Sequence, residues 1–155
     1  MADPHKDKSI EAERNPNAID LAGVPFGLAP ALPLSLDGVD GYKTIKNYRN
    51  LAKQNLKMLV LTAPGERIML PSFGVGMRNF LFRENTSATH GEIEARVLSQ
   101  VKSYLPYLEI LDIRFVTTTD EYPEPYSSNL VHITIHYRIK PLDIYEVLDL
   151  SVARN

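Results

Sequence analysis

The 155-residue sequence contains no cysteine, so disulfides and thiol chemistry are excluded and the redox compartment is not readable. It also lacks an excess of either charge. Seventeen basic and nineteen acidic residues leave a net charge of −2 and a pI near 6.1. That balance offers no broad electrostatic footprint for nucleic acid. No apolar run reaches the roughly 18–20 residues of a membrane span. The N-terminal stretch MADPHKDKSIEAERNPNAID is charged and mixed, without the apolar centre of a signal peptide. The protein is expected to stay in the cytoplasm where it is made. Histidines are few and scattered, at His5, His90, His132 and His136. The last two have the spacing of a helical metal site. Leu130–Ile139 alternates like a strand, however, which would hold the rings about 13 Å apart at about 3.3 Å per residue. They read as solvent-facing strand residues, and no metal or cofactor is expected.

What is present is ordinary for one globular domain, with 44% hydrophobic and 23% charged residues. Residues 1–18 are polar and contain two prolines, which predicts a flexible N-terminal arm or an extended partner-binding tail. Residues 19–41 are apolar but broken by proline and glycine, so they read as an extended arm rather than a helix. Leu34–Leu36 is a candidate short strand within it. Residues 42–155 read as the main domain. Ile45, Tyr48, Ala52, Leu56 and Leu59 recur at helical spacing, predicting a helix over Thr44–Leu61 that stops at Pro64-Gly65. Its lysines fall mostly on another side, as on a solvated face. A second helix runs through TSATHGEIEARVLSQVKSYLP, with Thr89 and Glu92 at capping-box spacing. Ile93, Val97, Val101 and Tyr104 form its apolar stripe, with Leu98 beside it, and Pro106 marks its end.

The remainder is strand-like. Leu108–Val116 is β-rich, Thr117–Ser128 is a polar hairpin loop, and Leu130–Ile139 alternates apolar with polar residues. In the last segment Ile144, Leu148, Leu150 and Val152 share one strand face with Glu146. Two main helices packed with a small mixed or antiparallel sheet make an α+β domain.

The stretch LTAPGERIMLPSFGVGMRNFLF, Leu61–Phe82, is the densest in turn residues. Its Gly74-x-Gly76 is not a dinucleotide loop, because the third glycine position holds Asn79. No Gly-Lys-Ser/Thr follows for a phosphate loop. The glycines read as backbone permission for a left-handed turn or a close approach. Glu66 as a general acid needs a partner carboxylate, and the nearest in sequence is Glu84. Asp120, Glu121 and Glu124 sit in the polar loop, a poor place to fix catalytic geometry. Gly-x-Ser-x-Gly is absent. The stretch therefore reads as a turn after a buried helix, followed by an apolar hook at Met77, Phe80, Leu81 and Phe82.

The order of these residues resembles the gene-25-like (GPW) baseplate wedge family of contractile-tail phages, whose superfamily includes the TssE proteins of type VI secretion. The matching positions are Asn55, Leu61-Thr62, Gly65-Glu66-Arg67, Pro71, Phe73-Gly74 and Leu81-Phe82. The likeness extends over roughly Leu34–Val152. One departure stands out: where the family often carries Glu-Pro-Arg, this chain has Leu105-Pro106-Tyr107. Tyr107 packing would then replace an arginine pairing, which points to a phage or phage-like injection protein rather than a TssE.

The resemblance implies a gene-25-like wedge fold and a structural role without enzymatic activity. It implies a protein of the virion tail baseplate, present in several copies of a six-fold symmetric assembly and assembled in the host cytoplasm. By the same resemblance it would link the wedge core to the tail sheath and help initiate sheath assembly. Its implied partners are other wedge proteins, the sheath protein through strand addition, and the tail tube; neither nucleic acid nor membrane is among them. Candidate partner-contact residues are Glu66, Arg67, Phe73, Arg78, Pro106, Tyr107, Leu148, Leu150 and Val152, with Ile144–Val152 as the edge strand. Deletion of Leu148–Asn155 is expected to leave a soluble domain that no longer supports sheath assembly. The alternatives are a peptidoglycan-cleaving, lysozyme-like enzyme acting through Glu66, and a cytoplasmic adaptor of the same fold.

Overall fold

The computed structural model describes residues 27–37, 41–84, 86–116 and 130–153. The arm over residues 1–18, the start of the apolar arm and the Thr117–Ser128 loop lie outside them. By internal contacts the chain divides into two units, Met1–Leu51 and Ala52–Asn155.

Among the described residues of the first unit, the regular structure before Tyr48 is four two-residue strands. β1 (Ala29–Pro30) pairs antiparallel with β4 (Thr44–Ile45), and β2 (Leu36–Asp37) with β3 (Gly41–Tyr42). The predicted strand at Leu34–Leu36 thus lies slightly later, at β2. Proline and glycine prevent a helix over residues 27–37, and the chain folds back through Leu28 N–H to Ile45 C=O and Ala31 N–H to Lys43 C=O, each 2.8 Å. The first predicted helix is corrected here. α1 spans Tyr48–Leu61, not Thr44–Leu61. Thr44 and Ile45 are β-branched and are held by β1, and Asn47 caps the helix by accepting the Arg49 N–H at 2.8 Å. Ile45 therefore does not belong to the helical stripe, and Tyr48 in its first turn is exposed.

The second unit holds the core. α1 contributes Ala52, Leu56, Leu59 and Val60, all buried. α2 is a single turn, Met77–Phe80, and α3 runs Ser87–Tyr104. The capping residue of α3 is Thr86, whose hydroxyl accepts the Thr89 N–H at 3.3 Å. The predicted Thr89–Glu92 box does not form, because Thr89 already lies within the first turn. Glu92 instead pairs with Arg83 on the surface. Ile93, Val97 and Val101 are buried as their spacing requires, Leu98 is exposed, and Leu105 closes the helix before Pro106.

β5 (Leu108–Val116), β6 (Leu130–Ile139) and β7 (Ile144–Ala153) form an antiparallel sheet in the order β5-β6-β7. One face packs in the core with α1 and α3, through Leu108, Ile133, Ile135, Tyr137, Ile139, Ile144, Leu148 and Leu150. The register of β5 against β6 shifts between Ile110 and Asp112, so Leu111 is the extra residue of a bulge. That insertion explains why the inward set of β5 changes from Leu108 and Ile110 to Ile113 and Phe115, and why Leu111 is exposed. On the other face His132 and His136 are half-buried rather than fully solvent-facing. Among the described residues, no helix is long and apolar enough to cross a membrane.

Tyr137 is the least conventional core residue. Its ring is fully buried and, among the described residues, its hydroxyl has no hydrogen-bond partner. Burial, then the nearby Glu146 and Tyr107, push its ionisation well above the ordinary 10.0. An unpaired buried hydroxyl costs desolvation that a ring hydrogen does not. Tyr137→Phe is therefore expected to stabilise the domain by about 1 kcal/mol in urea titrations at pH 7. The raised ionisation adds a second readout. Stability is complete below pH 10.0 and falls as pH rises beyond it, because the unfolded phenol ionises first. The wild-type chain should lose up to about 1.4 kcal/mol per pH unit relative to Tyr137→Phe above that point. Parallel pH profiles of the two chains would refute this assignment.

Candidate assembly interface

The loop between α1 and α2 is held by its own polar groups. Thr62 continues the α1 ladder, donating its N–H to the Met58 carbonyl at 3.0 Å. Glu66 turns back so that its carboxylate accepts the Ala63 N–H at 3.0 Å. The neck closes through Gly65 N–H to Pro71 C=O at 2.8 Å. Arg67 lies over the Phe73 ring at 3.9 Å, and Phe73 meets the edge of Tyr104 from α3 at 5.0 Å. Gln100 of α3 clamps the far side, accepting from Gly74 N–H at 2.8 Å and donating to Ser72 C=O at 3.0 Å. Val75 N–H to Leu59 C=O (3.0 Å) and Gly76 N–H to Thr62 C=O (2.8 Å) lash the returning chain to the end of α1.

This frame presents an unusual tip. Leu70 N–H bonds to Arg67 C=O at 3.1 Å, so Ile68 and Met69 occupy the corners of a turn. Turn corners ordinarily favour proline, glycine, asparagine or aspartate. Here the two apolar side chains are 94% and 90% exposed. The expected hook is corrected accordingly: Met77, Phe80 and Leu81 are buried, and only Phe82 of that group is exposed. α2 turns its apolar side inward because Gly76, in the left-handed region at φ 71°, redirects the chain at its start.

The second surface is the edge of the sheet. Among the described residues, β7 pairs with β6 on one side only. Lys140 N–H bonds to Tyr107 C=O at 3.0 Å, toward the β5 side. Bonding direction alternates along an antiparallel strand, so Ile139, Tyr137, Ile135 and Ile133 turn their backbone groups toward β7. Their partners Ile144, Glu146, Leu148 and Leu150 are thereby satisfied. Tyr145, Val147, Asp149 and Ser151 then point N–H and C=O away from the sheet, along an open edge. The same residues are exposed on the outer face.

The contact candidates divide among these elements. Glu66, Arg67 and Phe73 come together in the loop, where Glu66 fixes a turn and the Phe73 ring is buried beneath Arg67. Arg78 is exposed on α2. Pro106 and Tyr107 form the α3–β5 turn. Pro106 is exposed, while the Tyr107 hydroxyl accepts a hydrogen bond from Asn55 of α1 at 3.0 Å. Leu148 and Leu150 are core residues whose backbone groups bond β6, so the outward N–H and C=O groups of the edge come from Val147, Asp149 and Ser151 instead. Val152 pairs with Val131 in register, and its side chain lies outside the described residues. Sequence reasoning missed Ile68 and Met69, although an apolar run between Arg67 and Pro71 in a turn-rich stretch was the available signal. It also missed Tyr145, Val147 and Asp149, the outward phase of a strand whose inward phase was read.

The sequence matches the family described as baseplate wedge protein gp25 over residues 46–141, more than half of the chain. No curated protein matches it. Among solved structures, a Geobacter sulfurreducens protein bearing the provisional name tail lysozyme superposes with a TM-score of 0.59 at 22% identity, covering 73% of this chain and 96% of that one. A chain from the baseplate of the anti-feeding prophage superposes with a TM-score of 0.60 at 23% identity, covering 72% and 84%. At these identities the likeness is one of fold, and it agrees with the α+β architecture. With the family match over α1, the loop, α3 and most of the sheet, the chain belongs to the baseplate wedge protein gp25 family and is a phage-tail-like baseplate protein.

Proposed function

We propose that this protein is a structural, non-enzymatic wedge component that joins neighbouring baseplate proteins to the tail sheath by strand addition at β7 and helps initiate sheath assembly. The observation that carries the reading is the ten-residue strand Ile144–Ala153, paired on one side only among the described residues. Natural proteins usually blunt such an edge with lysine, proline or a bulge. β7 contains neither lysine nor proline, and its register with β6 is continuous. An added strand gains backbone hydrogen bonds along the edge. Repetition around a six-fold symmetric assembly turns modest single contacts into a firm seam.

The Ile68–Met69 tip is the second contact, directed at other wedge proteins, with Arg78, Pro106 and the arm over residues 19–41 as further contact candidates. Exposed apolar groups on a rigid frame commonly mark an interface. The tail tube is a further partner of the assembled ring, and the site of action is the tail baseplate, assembled in the host cytoplasm. A lysozyme-like role is disfavoured: Glu66 sits on an exposed turn and spends its carboxylate on the Ala63 N–H. A glycosidase needs two carboxylates fixed across a cleft.

Val147→Pro tests the edge. It removes one outward N–H that the intramolecular ladder does not use, and edge strands tolerate proline. Electron micrographs of particles carrying this variant should show baseplates and tubes without ordered sheath. Ile68→Ser combined with Met69→Ser should leave thermal stability unchanged and block incorporation into baseplates. Normal sheathed tails with Val147→Pro would sink the strand-addition reading.

A further inference from the structure

Resting on the strand-addition reading, we infer that the incoming strand comes from another protein and places a basic side chain opposite Asp149. The β7 sequence IYEVLDLSVA carries two acidic residues and no basic one. Asp149 stands on the outer face of the open edge, exposed, and accepts a hydrogen bond from the Thr134 hydroxyl at 2.9 Å. Among the described residues, no cation pairs with it. The arginines of the same face are engaged elsewhere: Arg138 with Glu109 and Asp143, and Arg114 with Asp112.

The backbone phase of β7 makes Asp149 one of the residues whose N–H and C=O would bond the new strand. The side chain directly opposite it therefore lies on the same outer face, within reach of the carboxylate. Along that face Tyr145 and Val147 offer exposed apolar surface, 62% and 36% exposed, to the neighbouring positions of the incoming strand. On the inner face the new strand lies beside Leu148 and Leu150, where apolar side chains extend the core. The recognised pattern is thus a strand apolar on one face, with a lysine or arginine opposite Asp149 on the other. A second copy of this chain does not fit, because its β7 would bring two more acids and no base to the seam.

The test uses the full chain and two acetylated ten-residue peptides of alternating valine and threonine. They differ only in one central threonine, replaced by lysine in one and by glutamate in the other. Fluorescence anisotropy at low salt should show the lysine peptide binding about fivefold tighter, the ratio expected for an opposite against a like charge across strands. Asp149→Lys, a surface change, should reverse the preference, and Val147→Pro should weaken both peptides. Equal binding of the two peptides, both weakened by Val147→Pro, overturns the charge assignment and leaves strand addition standing. Binding of neither overturns strand addition and the charge assignment together. Concentration-dependent dimerisation of the free chain that Val147→Pro abolishes would assign the edge to a second copy instead.

Discussion

Gly74→Ala is expected to cost about 3 kcal/mol of stability and to lower the melting temperature by about 10 °C. Two causes add. Gly74 has φ 108°, a conformation that side-chain-bearing residues rarely adopt. A Cβ there would also stand 2.2 Å from the Thr62 carbonyl oxygen, at the end of α1. That contact cannot be relieved by rotating a side chain, because Thr62 is itself bonded into the α1 ladder and its carbonyl accepts the Gly76 N–H. Gly65→Ala is the control. Gly65 also has positive φ, at 90°, but a Cβ added there would meet nothing within 4 Å. It should lose only about 1 kcal/mol, from backbone strain alone. Calorimetry on both variants separates the two causes, and equal losses would show that the close approach at Thr62 contributes nothing.

Deletion of Leu148–Asn155 is expected to abolish cooperative unfolding altogether. This reverses the expectation drawn from the sequence, which treated the segment as a detachable contact strand. Leu148 and Leu150 are 1% and 5% exposed and belong to the core. Losing a buried leucine costs about 2–5 kcal/mol, and a domain of this size has only about 5–15 kcal/mol in total. The deletion also strips the partners of Leu130–Ile135 from β6. Circular dichroism of the truncated chain should show no sigmoidal melt. A cooperative transition near the wild-type temperature would mean that β7 beyond Val147 is dispensable to the fold. Because the deletion destroys the domain, loss of sheath assembly would not report on the contact, and Val147→Pro is the informative variant.

The elements with strong periodicity were legible in the sequence. Ile93, Val97 and Val101 lie where a 3.6-residue repeat places them, and β6 buries Ile133, Ile135, Tyr137 and Ile139 with a period of two. Local signals misled where a nearby partner competed. Ile45 fits a helical stripe and Thr44 the start of that helix, yet their pairing with Ala29 and Pro30 made them a strand. Thr89 had the spacing of a capping residue, yet Thr86 took that place. Phe80 and Leu81 looked like an exposed hook because an apolar cluster after a glycine-rich turn carries no mark of which way it faces.

Sequence alone was enough for the absence of thiol chemistry, the α+β class, the two principal helices and the order of motif residues that identifies the family. Those properties follow from composition, periodicity and residue order, which are local. Tertiary structure decided what the Leu61–Phe82 stretch presents and what β7 offers. Folding the loop against α1 and α3 buried Phe73, Met77, Phe80 and Leu81 and left Ile68 and Met69 outside. Placing β7 at the end of the sheet turned Leu148 and Leu150 into core and Tyr145, Val147 and Asp149 into surface. Whether an apolar residue packs or protrudes depends on what lies across from it in space, and that neighbour is usually far away in sequence.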